Sequence, residues 1–566
     1  MGPPMDRGGP PPQDNQQMSQ MQKQEMALTG LKNLMRGQTF IEVRLVKRDK
    51  AGDIDLVQTK YTHTMDGNFP DWNETLEFNL HAEDGKGFTE DELINSNAAL
   101  YFSLFDRAMS HRKIPYTNKY ETVVENKIIG SFYVSLISVL QNTPKMDGLI
   151  KVNRPLQLQG YRVLTRDMYE LSRSNVESVE FEEESNMVPT FVDLQITTEP
   201  ALELPAENEY EYYGGYEELN LLLEGTKFVQ ECKKSAWMAK RMIKVFGENI
   251  QGQSVFLCRY LRSQNLPPEL ALYFDGSGDQ ADVNYAIQSA ARFVSLIPFL
   301  DDNAAFDNLP DIWCTSQEFL DLGYGDYEEH AILLCNYFNY IDQNLNEGRV
   351  KSYILLGKAV PEGNTTYVLR RNTENNHVEI WNATQGEAIF IGKDPDKRKT
   401  CFITCSTGFR YQYTTDTTCQ LKDVGCVIGE DNIWVNKQKH GSPHLLSYKL
   451  EEKKSWRPFL TKKNRLNLLE DDTIDTVQEE PMTYIEDRRE NTTHLADDIR
   501  MFISQKFADE RVNHYTRWNH SCNETFTQYF MDFERYKRET CRPFQVSPSS
   551  IVLHRRRVQG RGQDKD

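Results

Sequence analysis

From Thr39 onward the apolar residues fall in short runs separated by turn residues. TFIEVRLV alternates apolar and polar positions, LEFNL at 76–80 repeats the alternation, and NAALYFSLF and IIGSFYVSLISVL are longer apolar stretches. The region closes with FVDLQITTEP at 191–200. This pattern predicts an antiparallel sandwich of short strands, with IIGSFYVSLISVL continuing as strand. Past residue 204 the period lengthens. Leu219, Leu222, Leu223, Phe228 and Val229, then Trp237, Met238, Met242, Ile243 and Phe246, recur at helical spacing and predict ordinary core stripes. GYGDYEEHAILLCNYF predicts one long helix, started by a glycine turn and an Asp326 N-cap with two acids in its first turn. Strands follow in RVKSYILLGKAVPEG, TTYVLRR and HVEIWNATQG. A further helix near Leu495 places Ile499, Phe502, Ile503 and Phe507 on one side, and WNHSCNETFTQYFMDFERY predicts a second packed helix.

These changes divide the chain into a Pro/Gln-rich tail at 1–37, expected to be disordered, a β unit at 38–203, a helical segment plus mixed α+β unit at 204–450, and an acidic linker with a helical, basic-tailed region at 451–566. The 566 residues require several folded units, and 28 Phe, 27 Tyr and 7 Trp supply their cores. A net charge of −19 argues against nucleic-acid binding, because neutralising phosphates needs a basic surface. The basic cluster His554–Arg557 is expected to be a solvated tail. No apolar run reaches a membrane span and no signal pattern opens the chain, so it is expected to be intracellular and its ten cysteines reduced. The spacings of Cys401, Cys405, Cys419 and Cys426 fit no common zinc site, and no cofactor is expected.

Within the β unit, NFPDWNETLEFNL at 68–80 resembles the Asn-Pro-x-Trp-Asn-Glu turn and following strand of C2 domains, and ALYFSLFDR and KIIGSFYVSL are similar to later strands of that fold. Many C2 domains bind Ca²⁺ through loop aspartates, since a hard cation takes several anionic oxygens at once. Where the family supplies Asp-x-Asp this chain has Asp106, Arg107 and Ala108. Asp53, Asp55 and Asp106 are weak Ca²⁺ candidates, and a calcium-independent C2-like sandwich is the expectation.

The helix-then-strands order of 312–440 resembles the transglutaminase-like, papain-like cysteine-enzyme fold. That resemblance implies a thiolate at the helix start, an imidazole on a neighbouring strand and a carboxylate to orient it. The corresponding positions are Tyr327 for the nucleophile, Thr365 and Tyr367 on the general-base strand, and Asn382 for the orienting acid. A phenol does not replace a thiolate at neutral pH. Cys335 is expected to be a core thiol, His330 to bond locally, His377 to lie at the surface, and Cys314 to be too far along the chain to share the helix start. The catalytic unit is therefore expected to be degenerate, leaving a cleft around Tyr327, Thr365, Tyr367 and Asn382 that holds a peptide.

With the C2-like unit upstream, IWCTSQEFLDLGYGDYEEHAILLCNYF, YILLGKAVPEGNTTYVLR and LKDVGCVIGEDNIWVNKQ are similar to the coiled-coil and C2 domain-containing protein 2A family. Family members carry a long coiled-coil-rich N-terminal half, where this chain has a short tail. The resemblance implies a non-enzymatic scaffold of the ciliary transition zone or basal body, in the cytoplasm and cytoskeleton at the cilium base. Its implied partners are other proteins of that compartment, with a membrane surface and acidic tubulin tails as further candidates. Two alternatives stand beside it: a cysteine enzyme using Cys335 or Cys314 in a rearranged site, and a Ca²⁺-regulated membrane tether.

Overall fold

A computed structural model describes residues 38–48, 54–66, 70–80, 98–113, 120–142, 145–155, 190–202, 216–271, 280–306, 311–345, 348–392, 400–404, 410–414, 419–469, 473–484 and 489–511, with a few positions beyond. The tail at 1–37, Asp53, Cys405, the C-terminal arginines and most of the aromatic segment 518–536 lie outside them.

The N-terminal unit is built on β1 (Gln38–Arg48), β2 (Ile54–Tyr61), β3 (Met65–Asp66), β4 (Ala98–Lys113) and β5 (Tyr120–Ser135), in one antiparallel sheet of order β2-β1-β4-β5 with β3 paired to β1. α1 (Leu136–Gln141) follows, then β6 (Met146–Lys151) and β7 (Phe191–Ile196), which pair with each other. Alternation along β1 sends Ile41 and Val43 into a core shared with Leu104, Phe132 and Val134. Two expectations change. LISVL does not continue β5: Ser135 turns outward in extended conformation, its hydroxyl accepts the Ser138 amide at 3.1 Å, and the run becomes α1. LEFNL joins no ladder; it lies along β2 with its Asn79 amide donating to Gln58 Oε1 at 3.2 Å and its carbonyl accepting Gln58 Nε2 at 2.6 Å.

The central unit starts with α2 (Leu219–Lys233), the short pair β8 (Phe246–Glu248) and β9 (Ser254–Phe256), α3 (Gln280–Ser295), α4 (Ser316–Leu322) and α5 (Tyr327–Leu345). Its strands are β10 (Val350–Ala359), β11 (Gly363–Asn372), β12 (Val378–Asn382), β13 (Glu387–Gly392), the separate pair β14 (Thr400–Thr404) and β15 (Arg410–Thr414), then β16 (Leu421–Ile428), β17 (Ile433–Asn436) and β18 (Trp456–Pro458). Apart from β14 and β15, β10 to β18 form a seven-stranded sheet of order β13-β12-β11-β10-β16-β17-β18, antiparallel throughout. One face carries Ile354, Leu356, Val368 and Cys426 against α5; the other carries Leu355, Tyr367, Leu369 and Val427 in a second core with Tyr448 and Trp456. Because both faces are covered, the strands read as nearly continuous apolar runs.

The stretch expected to be an exposed acidic linker is pinned to this unit at 473–484. The Val477 amide donates to the Arg259 carbonyl at 3.0 Å, Gln478 Nε2 donates to the Tyr260 carbonyl at 2.6 Å, and Met482 is buried. α6 (Arg489–Glu510) follows, and its Leu495, Ile499, Phe502, Ile503 and Phe507 are exposed. No helix among the described residues is long and apolar enough to cross a membrane.

The two units meet at the turn before β11. Ser138 Oγ donates to the Glu362 carbonyl at 2.8 Å, the Asn364 amide donates to Gln141 Oε1 at 2.7 Å, and Lys358 Nζ donates to the Gln141 carbonyl at 3.2 Å. Gly363 sits between them at φ +82°, where a Cβ would fall 2.2 Å from Gln141 Oε1. Only glycine meets both the backbone angle and the space.

Under α5, Arg370 is clamped by Asp342 through Nε–Oδ2 at 2.9 Å and Nη2–Oδ1 at 2.7 Å, with Glu379 at 3.1 Å from Nη1. The Asp342 side chain is fully buried. Removing one partner strands a charge, so Asp342→Leu is expected to cost about 3–5 kcal/mol in denaturant unfolding. The double variant Asp342→Leu with Arg370→Met is expected to recover much of that loss; a double variant no better than the single one would show that the pair contributes net stability.

Candidate functional site

The start of α5 is set by local chemistry before any long-range contact. Thr315 and Glu318 form a reciprocal capping box on α4: Thr315 Oγ1 accepts the Glu318 amide at 3.2 Å, and Glu318 Oε2 accepts the Thr315 amide at 2.8 Å. Gly323 ends α4 in the left-handed conformation, at φ 72°. Gly325 passes so close to its neighbours that a Cβ would lie 2.7 Å from the Phe319 ring. Asp326 then caps α5, its Oδ1 accepting the Glu328 amide at 3.0 Å, as its position in the sequence predicts.

Around that cap the fold gathers carboxylates that no sequence spacing foreshadows. Oxygens of Asp302, Asp326 and Glu329 lie within 4.8 Å of one another, with Glu328 beside them. Each accepts backbone amides: Asp302 from Ile312 at 2.5 Å, and Glu329 from Cys314 at 3.2 Å and Asp326 at 3.0 Å. Burial, reinforced by neighbouring acids, pushes Asp302 up to about 9. Burial likewise raises Glu329 to about 7 and Asp326 well above the carboxylate range. The spacing would suit a cation, yet these oxygens already serve as amide acceptors and burial favours their protonated forms, so the nest is read as part of the helix start.

This environment is the reverse of one that activates a nucleophile. Tyr327 is half-buried with its ring 4.7 Å from Phe299, and burial followed by the nearby Tyr133 and Glu362 raises its phenol well above its ordinary value. The fold does bring Cys314 to the helix start, contrary to the expectation from chain distance, since its amide bonds Glu329 of the first turn. The thiol gains nothing there: burial, then Glu329, Glu318 and Asp302, push it up and away from thiolate. Cys335 is fully buried, and burial raises it as well. His330 is buried with both ring nitrogens on carbonyls, Nδ1 at 2.6 Å from Asp326 O and Nε2 at 3.0 Å from Ile297 O, and burial lowers its pKa. It bonds locally, as expected. His377 is half-buried in the β11–β12 turn, where its amide donates to Asn375 Oδ1 at 2.8 Å.

The strand positions are corrected by one residue. Side chains alternate along β11, and Thr366 is the residue that faces the helix, its Oγ1 donating to Glu328 Oε1 at 2.9 Å. Tyr367 points into the core on the far face, on the side shared by alternation with Thr365. There Tyr367 Oη and Asn382 Nδ2 both donate, at 3.4 Å, to Oε1 of Glu362, a residue that motif reading passed over; burial raises this carboxyl to about 7. Thr365, Tyr367 and Asn382 are only 1%, 1% and 2% exposed, so these three do not line an open groove. Tyr327 alone of the four keeps exposed surface.

Of the Ca²⁺ candidates, Asp55 and Asp106 are described, and they do not converge either. Asp55 pairs with Lys47 and Asp106 with Thr39, eight residues apart on β1 and so separated by roughly 26 Å along the strand. Asp106 Oδ1 accepts the Gln38 amide at 3.1 Å.

A carboxyl whose pKa is raised on folding stabilises the fold below its unfolded value near 4, and that stabilisation is lost as pH rises through the folded value. The nest is thus expected to lower stability progressively from about pH 4 to pH 9. Asp302→Asn keeps an acceptor for Ile312 and is expected to flatten the fall in Tm between pH 6 and 9; slopes identical to the unmodified chain would refute the assignment.

Residues 311–459 match the family model described as the CEP76 peptidase-like domain, which covers α4, α5 and the central sheet. The chain is similar to Protein CC2D2B of Homo sapiens, 25% identical over 490 residues that make up 85% of this chain and 30% of that protein. It is also similar to coiled-coil and C2 domain-containing protein 2A of Drosophila melanogaster, 22% identical over 475 residues, 84% of this chain and 31% of that protein. The chain therefore spans about a third of the length of these curated relatives. Its resemblance to the coiled-coil and C2 domain-containing protein 2 proteins extends over most of its length, around a peptidase-like central unit.

Proposed function

We propose that the chain is a non-enzymatic scaffold at the ciliary base, in the transition zone or basal body, a reading that its resemblance to the coiled-coil and C2 domain-containing protein 2 proteins supports. The observation that carries the non-enzymatic part is the electrostatics of the α5 start: every group placed there to begin covalent catalysis is a raised phenol or a raised thiol, and the nearby imidazole has both nitrogens against carbonyls. A reactive thiolate is stabilised by positive charge nearby, whereas Cys314 is buried beside Glu329, Glu318 and Asp302. The N-terminal unit, C2-like in sequence, and the peptidase-like unit act in this reading as one platform, because α1 seals the turn that carries Glu362. Peptide contact is proposed at the Tyr327 and Phe299 end of the central unit, since Thr365, Tyr367 and Asn382 are covered. The partners are other proteins of the ciliary base; a net charge of −19 favours basic segments over acidic tubulin tails.

Tagged protein in a ciliated cell is expected to concentrate at the ciliary base, and its deletion to impair cilium assembly. Diffuse cytosolic signal with normal cilia after deletion would overturn the placement. For the chemistry, a thiol-directed activity probe is expected to label Cys314 and Cys335 in folded protein no faster than an unactivated thiol; rapid selective labelling of either would restore the enzyme reading.

A further inference from the structure

We propose that a basic face of the central unit, made by the turn after α2 and the connection between β17 and β18, docks on an anionic membrane surface. Residues 232–244 hold five Lys or Arg and no acid, and residues 436–457 hold six against two acids, in a chain whose net charge is −19. The fold joins these two distant stretches. Arg241 Nη1 donates to the carbonyls of Asn436 at 2.8 Å and Gln438 at 2.9 Å, and Arg457 Nη2 donates to Glu231 Oε2 at 2.5 Å. Lys437 Nζ donates to the Lys453 carbonyl at 3.0 Å, and the Gln438 side chain closes the connection through two bonds to the Ser447 backbone.

The arginines of this face serve the fold, since Arg241 also holds Asp423 at 3.2 Å. The acids that share it are taken: Glu224 by Lys227, Glu231 by Arg457, Glu451 by Arg371 and Glu452 by Lys454. Among the described residues, Lys234, Lys240, Lys439 and Lys449 are exposed and hold no ion pair or side-chain hydrogen bond. A guanidinium fork matches one carboxylate or phosphate, whereas separate ammonium groups answer the diffuse potential of an anionic bilayer. Exposed apolar side chains lie in the same stretches: Trp237, 47% exposed between Lys234 and Lys240, and Leu445, 43% exposed in the connection. The turn holds Trp237 outward, because the Met238 and Ala239 amides both donate to the Ser235 carbonyl and the Met238 side chain is buried. An indole presented beside lysines suits the headgroup level, where its ring is apolar and its N–H is wet. The remainder of the chain is strongly acidic and is repelled by such a surface, so this face also sets the orientation of docking.

Sedimentation of the full chain with phosphatidylcholine vesicles, with and without phosphatidylserine, tests the proposal. Binding is expected only with phosphatidylserine present, and it is expected to be lost as salt rises from about 0.1 M to about 1 M. The triple variant Lys234→Glu, Lys240→Glu, Lys439→Glu alters exposed side chains that carry no bond, so it is expected to keep its Tm and to bind about tenfold more weakly or worse. Trp237→Ala is expected to weaken binding while leaving its salt dependence in place. Absence of binding, equal binding to neutral vesicles, or binding that the triple variant keeps, as it would if the N-terminal unit made the contact, would overturn the proposal. So would tighter binding to polyglutamate than to the vesicles, which would identify an acidic peptide as the occupant.

Discussion

The constraint on which the rest of the central unit depends is that α5 begins inside the protein. A helix leaves its first amides without intrahelical acceptors, and a surface helix gives them to water. At α5 the first turn is already covered: Glu328, Glu329 and His330 are buried, and the following Ala331 to Leu334 are fully so. Acceptors had to come from the protein, and they come as the carboxyl of Asp326, which takes the Glu328 amide, and that of Glu329, which takes the Asp326 amide, while Asp302 beside them takes the Ile312 amide. The same requirement sets the surroundings of any nucleophile at this helix start. Burial raises Tyr327, Cys314 and Cys335 alike, and Glu329 and Asp302 add to it at Cys314, so a thiolate at this helix start would be both buried and set beside acids.

How legible this was depends on the periodicity available. α5 could be placed from its sequence because a glycine turn, an aspartate cap and a long apolar stripe agree. The face of β11 could not. Thr365 to Arg371 are all buried, so apolar and polar positions carry no alternation from which to choose inside from outside, and the choice fell one residue away from Thr366. LISVL misled for a related reason, since a short apolar run fits strand and helix alike and the deciding element was the hydroxyl of Ser135.

Other features were hidden because they are made by tertiary structure alone. Asp302 and Cys314 both reach Glu329 across α4; neither pair has a spacing that a motif could record. Glu362 lies in a turn that looks like ordinary connection, yet it collects Tyr367 and Asn382 beneath the N-terminal unit. The acidic composition of the region after residue 450 suggested solvent, while Val477, Gln478 and Met482 contribute backbone bonds and buried surface that tie it down. Composition averages over a stretch; a few well-placed residues decide its path.

The contact between Gly363 and Gln141 has a mechanical meaning. Backbone, amide side chain and hydroxyl bonds converge on a turn that admits no Cβ, so the seam between the two units resembles a welded corner more than a pivot. Bonds from three side chains on one corner oppose rotation of the N-terminal sheet about the central unit. A substitution that put a side chain at Gly363 would therefore act on the angle between the units before it touched the core of either.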